Sequence, residues 1–555
     1  NATCLMLAKR RPHEWGRCTQ ECVRHALQMC LLLVALAFSA AAAESPLADA
    51  AQRGARAAVR ILLDQHADAN AAQSDGMTAL HWAAFQSDSE MAQALIDAGA
   101  NVQATTRVGA VTPLALACTN GNGAIVEALL KAGANANSAQ ADGATALMTA
   151  AASGSIDAVK ALLTHGADVN ARESAHGQTA LMFAAAKNRA DTIRLLLASG
   201  ADAKVTTNVV KLERPRVDED GNPLPVAAGG RGGRGGGAGG QARGASATVL
   251  GGMTALLLAA RDGNADAAHA LLEGGADVNQ VSGGEKTSPL VIAISNGHYD
   301  LAKFLLDHSA DPNLATIDGL AALYATEDTE WAQMGWAPNP ITVQEHVSYL
   351  DLMKALLQHG ANANAKLVKA LWFRPTSHNE EWVDRKGAST FWRAAQSSDV
   401  AAMRILVAAG ADTNLATDEG VTPLMVAAGL GWGANATRNV PDSWLATVKY
   451  SVELGADVNA KDAYNYTALH GAAYRGDNDV VKFLVEKGAR LDVRSKRGQT
   501  VTDMANGPMV NAHLPMAHPD TIALLEKLGA PAPEVPVAGA PRQGRGAGAA
   551  TNPGK

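Results

Sequence analysis

Aromatic side chains make up only 4% of this 555-residue chain, and charged ones 18%. A sandwich, a barrel or a doubly wound enzyme would draw on more β-branched and aromatic residues, so those classes are disfavoured. Cysteine is as sparse. Of five, Cys4, Cys18, Cys22 and Cys30 fall near the start, and Cys118 stands alone in the body. That excludes an intrachain disulfide framework or a cysteine zinc cage there. Cys18-x-x-x-Cys22-x-x-His25 lacks the Cys-x-x-Cys-His spacing of a haem attachment site and is read as no ligand set. No segment beyond residue 43 holds about 18 apolar residues in a row, so no stable membrane span is expected after the leader. Neither sign of charge dominates: 47 Lys and Arg face 54 Asp and Glu, a net charge of −7. This disfavours both a nucleic-acid binder and an acidic disordered chain. Catalytic signatures are missing as well. Gly283-Gly-Glu-Lys286-Thr287 lacks the spacing of a phosphate loop, and there is no Gly-x-Ser-x-Gly and no His-Glu-x-x-His. No enzyme, cofactor or metal is expected.

What is present begins with a leader. Met29 to Ala43 is an apolar stretch ending in Ala41-Ala42-Ala43, a small-x-small cleavage pattern. The reading is a signal peptide over 1–43, with an uncleaved anchor as the other possibility. Asn1 is not a methionine, and Val23-Arg24-His25 would make a compact signal start, a reading that would leave residues 1–22 untranslated. A periplasmic or secreted protein follows from this reading.

The body repeats. Gly-Ala-Asp/Asn-x-Asn recurs at Gly133, Gly166, Gly275, Gly360, Gly410 and Gly455, with looser copies at His66, Gly99, Gly200, Ser309, Gly488 and Gly529. From Gly99 the spacings are 34, 33, 34, 75, 34, 51, 50, 45, 33 and 41, a period of 33–34 with insertions. Each period also carries Thr-Ala/Pro-Leu, as in Thr78-Ala-Leu-His81, Thr112-Pro-Leu114, Thr422-Pro-Leu424 and Thr467-Ala-Leu-His470. In residues 142–170, Asp142-Gly143 makes a turn and Thr145 caps a first helix with Leu147, Ala150 and Ala151 on one face. Gly154 breaks it. Ile156, Val159, Leu162 and Leu163 then recur at helical spacing until Gly166 supplies a left-handed stop. Two such short helices cannot bury their faces alone and must stack on their neighbours.

This pattern resembles the ankyrin repeat, over about residues 46–531. The resemblance implies an all-α ankyrin-repeat solenoid of helix-turn-helix units with short β-finger loops. It also implies protein partners held by fingers and by the concave face of the first helices. More narrowly, the chain resembles exported bacterial ankyrin-repeat proteins. The expected organisation is repeats over 44–205, a Gly/Arg-rich flexible insertion over 206–251, repeats over 252–531 and a disordered tail over 532–555. The second block carries Trp-rich insertions at 327–346, 367–386 and 430–443.

Function is sought where the repeat is broken, because the scaffold is generic. Seven of nine tryptophans lie within 331–444: Trp331, Trp336, Trp372, Trp382, Trp392, Trp432 and Trp444. The finger insertion runs Leu371-Trp372-Phe373-Arg374, continues through His378 to Trp382, and leads into Trp392-Arg393. Aromatics and arginine are what contact hot spots are made of. One reading makes these residues a partner-binding patch. Another has the tryptophans fasten long loops onto the solenoid. A third gives the Trp-rich loops a small molecule or glycan to bind, or an unrecognised hydrolytic site. His378 with Glu380, Glu381 and Asp384, and the His513/His518 pair, have no diagnostic metal spacing. His81 and His470 sit at the signature position and read as structural.

Overall fold

The computed structural model describes residues 45–212, 248–332, 340–369, 371, 383–433, 438–441, 443–507 and 517–533. Two compact units divide between Ala171 and Arg172. Among the described residues, the first holds eight helices from Pro46–Gln52 to Ile156–Thr164, and the second sixteen, from Ala180–Ala186 to Pro519–Lys527. The described residues form a repeating series of helix pairs, and every described helix is short.

Each repeat is built by the same local rules. The Thr145 side chain accepts from Met148 N and starts helix Ala146–Ser153. Ser155 accepts from Ala158 N and starts helix Ile156–Thr164. Where proline follows the cap, as at Pro113, Pro289 and Pro423, it takes the first helical turn, where its missing N–H costs nothing. Gly166 closes the pair at φ +84°, a conformation that side chains with a Cβ avoid. Within each unit, first helices pack on first helices and second on second. The core is correspondingly fine-grained: Leu147, Ala150, Ala151, Val159 and Leu162 are all buried.

Two ladders run along the stack. Loop asparagines bridge neighbouring repeats: Asn137 donates to Gly166 O at 2.9 Å and accepts from Asp168 N at 2.8 Å. Fingertips join by single backbone bonds, such as Ala141 N to Gly109 O at 2.9 Å in the first unit and Ile317 N to Glu285 O at 3.0 Å in the second.

Two boundaries differ from the sequence reading. The 206–251 insertion is not loop at its ends: Val209–Leu212 pairs antiparallel with Thr248–Gly251. Valine and threonine there favour the extended chain, and the preceding finger supports it through Asn208 N to His176 O at 2.7 Å. The insertion placed from Glu327 starts later, because helix Ala322–Glu330 continues through Glu327 to Glu330.

Candidate functional site

Two positions of a first helix, two and five residues after its leading Leu, meet the finger, as Asp49 and Gln52 do through Gln73. In the first unit that face is open. Trp82 donates its Nε1 to Gln73 Oε1 in the finger at 2.8 Å and meets Phe85 edge-to-face, ring centroids 5.9 Å apart. Phe85 is 55% exposed, and Val108 on the next finger 85%. Leu116 and Thr149 continue the row, both half-buried.

In three successive repeats of the second unit the same positions are closed. Ala325 and Asp328, Arg393 and Gln396, and Val426 and Gly429 are all buried. Inserted residues cover the first two of these repeats, and Gly471 and Arg475 of the following first helix lie against Gly429. Arg393 donates through Nη2 to the Trp331 carbonyl at 2.6 Å and through Nη1 to Ser397 Oγ. Val440 N bonds Ser397 O at 2.9 Å, and Val383 packs against Gly431.

A polar cluster lies beneath this cover. Asp328 takes Arg393 Nε at 2.9 Å and Arg385 Nη1 at 3.2 Å. Asp399 accepts from Trp331 Nε1 at 3.0 Å and Tyr349 Oη at 2.5 Å, and also caps helix Val400–Ala408 through Ala402 N. Burial and the neighbouring Asp399 carboxylate push the Tyr349 hydroxyl up. Burial also raises the Glu330 carboxyl, against hydrogen bonds from Thr342 and Tyr299. Glu327 is fully buried.

The sequence-derived site residues separate accordingly. Trp336, Trp372, Phe373, Arg374, His378 and Trp382 lie outside the described residues. Trp392 and Arg393 are core, 0% and 1% exposed, so neither side chain is available to a partner in this conformation. The Trp392 indole donates to Val421 O at 3.0 Å, which ties consecutive repeats. Trp331, Trp432 and Trp444 are half-buried in contacts within the chain. Trp432 and Trp444 meet edge-to-face at 6.0 Å, and the Arg475 guanidinium lies 4.2 Å from the Trp444 ring centroid. Burial lowers the Arg475 pKa to about 10. These described side chains fasten the inserted segments to the stack.

Counting tryptophans overlooked Trp82, which lies outside the cluster, and Glu327, which is not aromatic. Aligning the repeats on their leading leucines finds both. Glu327 then falls in a column of alanines, and Trp82 heads an open column. Among the described residues, no group of three or more His, Cys, Asp or Glu is disposed to hold a metal. His518 instead bonds Tyr474 O at 3.1 Å, and His513 lies outside the described residues. No described helix is long and apolar enough to cross a membrane.

Comparison with known proteins bears on the same repeats. A family model for ankyrin repeats (3 copies) matches residues 20–106, 114–207 and 240–316, and one for ankyrin repeats (many copies) matches 436–485. Together they span over half of the chain. The ankyrin repeat and SOCS box protein 16 of Homo sapiens is 36% identical over 238 residues, 40% of this chain and 48% of that protein. The ankyrin repeat and SAM domain-containing protein 6 of Rattus norvegicus is 37% identical over 92 residues, 16% of this chain and 9% of that protein. A putative palmitoyltransferase, ZDHHC13 of Danio rerio, is 28% identical over 254 residues, 46% of this chain and 27% of that protein. In each case the match spans less than half of the relative's own length.

Proposed function

Since this chain belongs to the ankyrin-repeat family, we propose that it is a non-enzymatic scaffold, exported from a bacterial cytoplasm, that holds a protein partner on the finger-side face of its first helices. One observation carries the binding face: Phe85 is exposed and Trp82 half-buried in the first unit, whereas the equivalent Asp328 and Arg393 of two later repeats are buried against inserted residues. An edge-to-face aromatic pair supplies contact area at small entropic cost. Export rests on the Met29–Ala43 leader.

The test is capture of a partner from the envelope fraction by the full chain, repeated with Trp82→Ala/Phe85→Ser and with Trp372→Ala/Trp382→Ala. Loss of a stoichiometric partner with the first pair alone supports the reading, by about 2 kcal/mol or more in affinity for hot-spot truncations. Loss with the second pair alone moves the binding surface to the finger insertion. Retention by both overturns the aromatic face. Export is tested separately, by N-terminal sequencing of protein secreted from its native host. A product retaining Leu31–Leu36 counts against cleavage.

A further inference from the structure

Glu327 stands in a column that the neighbouring repeats of its unit fill with Ala185, Ala260, Ile294, Ala395, Ala428 and Ala473. The column is small because first helices touch there. In this repeat it holds a carboxyl group that is 0% exposed and has no hydrogen-bond partner for either oxygen. Burying an ionised carboxylate without a partner is far more costly than burying the neutral acid.

The surrounding charges are already committed. On its own helix stand Asp328, paired with Arg393 and Arg385, and Glu330, held by Thr342 and Tyr299. Helix Thr390–Gln396 contributes Arg393, and Asp399 follows it, bonded to Trp331 and Tyr349. Tyr349 comes from helix Tyr349–Gln358, and Arg438 comes from the inserted segment, where it bonds Ala332 O at 3.5 Å. Helix Pro289–Ser295, packed on the other side, offers no ionisable group. Arg393 is the cation that acts on Glu327, and its hydrogen bonds go to Asp328, Ser397 and the Trp331 carbonyl.

We propose that Glu327 is a proton-loaded latch: with its carboxyl protonated the first helices of this block stay packed, with residues 331–332 and 383–389 held against them, and its ionisation loosens helix Ala322–Glu330 and those described residues. Burial first, then the Asp399 charge, holds its carboxyl well above the ordinary carboxylate range, and Arg393 only partly offsets this. For a group raised in this way, the closed form is favoured below the ordinary value. That advantage is lost as pH rises through the closed-state value. Opening would bare Arg393 and the positions equivalent to Trp82. The latch does not depend on which face binds a partner, because it concerns only closure within the chain.

Hydrogen exchange of the full chain, corrected for intrinsic rates, tests it at about pH 5.5, 7 and 8.5. Helix Gly123–Lys131 in the other unit serves as internal reference. The wild type should open helix Ala322–Glu330 about tenfold more per pH unit between the open-state and closed-state values, the slope of one proton. Glu327→Ala, which restores the residue of the neighbouring repeats, and Glu327→Gln should both remove that slope. If either variant fails to fold, the other decides. A flat wild-type profile, or the same rise in a folded variant, overturns the latch.

Discussion

The indole Nε1 of Trp331 lies 3.0 Å from Asp399 Oδ2, although the two residues are sixty-eight positions apart. The same carboxylate caps a helix and accepts the Tyr349 hydroxyl, so one side chain joins an inserted segment, a second helix and the next repeat. Asp399→Ala removes the cap, worth about 1 kcal/mol, and strands two donors at about 1–3 kcal/mol each if they stay buried. The expected loss is about 3 kcal/mol, read as a lowered urea midpoint. Asp399→Asn keeps a capping oxygen and should lose less than half of that.

Arg393 and Asp328 form a buried ion pair at 2.9 Å. Removing one partner leaves the other charged and enclosed, so Arg393→Ala should destabilise by about 3–5 kcal/mol. The double variant Asp328→Ala/Arg393→Ala should lose less than the sum of the singles, with a coupling of about 1–3 kcal/mol from a denaturation cycle. Additive losses would mean that Arg385 holds Asp328 equally well alone.

His470 gives a pH dependence of the opposite sign to Glu327. Its Nδ1 accepts from Thr467 N at 3.1 Å, and burial pushes the ring down to about 4. The unfolded chain binds this proton more readily, near pH 6.5, than the folded one does. Stability from this group is therefore present above about pH 6.5 and lost as pH falls toward 4. His470→Gln keeps an acceptor at the third helical position and should flatten the fall. Urea midpoints at about pH 7, 5.5 and 4.5 decide it.

The asparagine ladder is testable at Asn137, which bonds both Gly166 O and Asp168 N. Asn137→Ala should cost about 1–2 kcal/mol, two exposed hydrogen bonds at the lower end of their usual range. Exchange should quicken at residues 166–168 before it does elsewhere in the unit.

Repetition made the fold legible. The Thr-Pro-Leu and Gly-Ala-Asp-x-Asn strings specify caps and stops that depend only on neighbours in sequence, so Thr145, Gly154 and Gly166 read correctly without tertiary information. The candidate site was legible only in part. Whether Trp392 or Arg393 meets solvent depends on chain that returns from dozens of residues away, and no local pattern encodes that return. The Trp-rich tract marked where the array was altered, but not which side of the alteration faced outward. Glu327 carried a clear signal, an acid in an alanine column, visible only when repeats are read against each other.

The bond from Arg438 Nη1 to Ala332 O spans 106 positions and passes over an intervening repeat. An array with contacts only between adjacent units unravels from its ends, one unit at a time. This bridge, with Val440 N on Ser397 O and Trp331 on Asp399, closes large loops that must form before they stabilise anything. The stretch from Ala322 to Glu453 should therefore fold late and unfold as one cooperative block. Progressive truncation from the C-terminal end should remove the last repeats in small steps, then lose this block in a single large one.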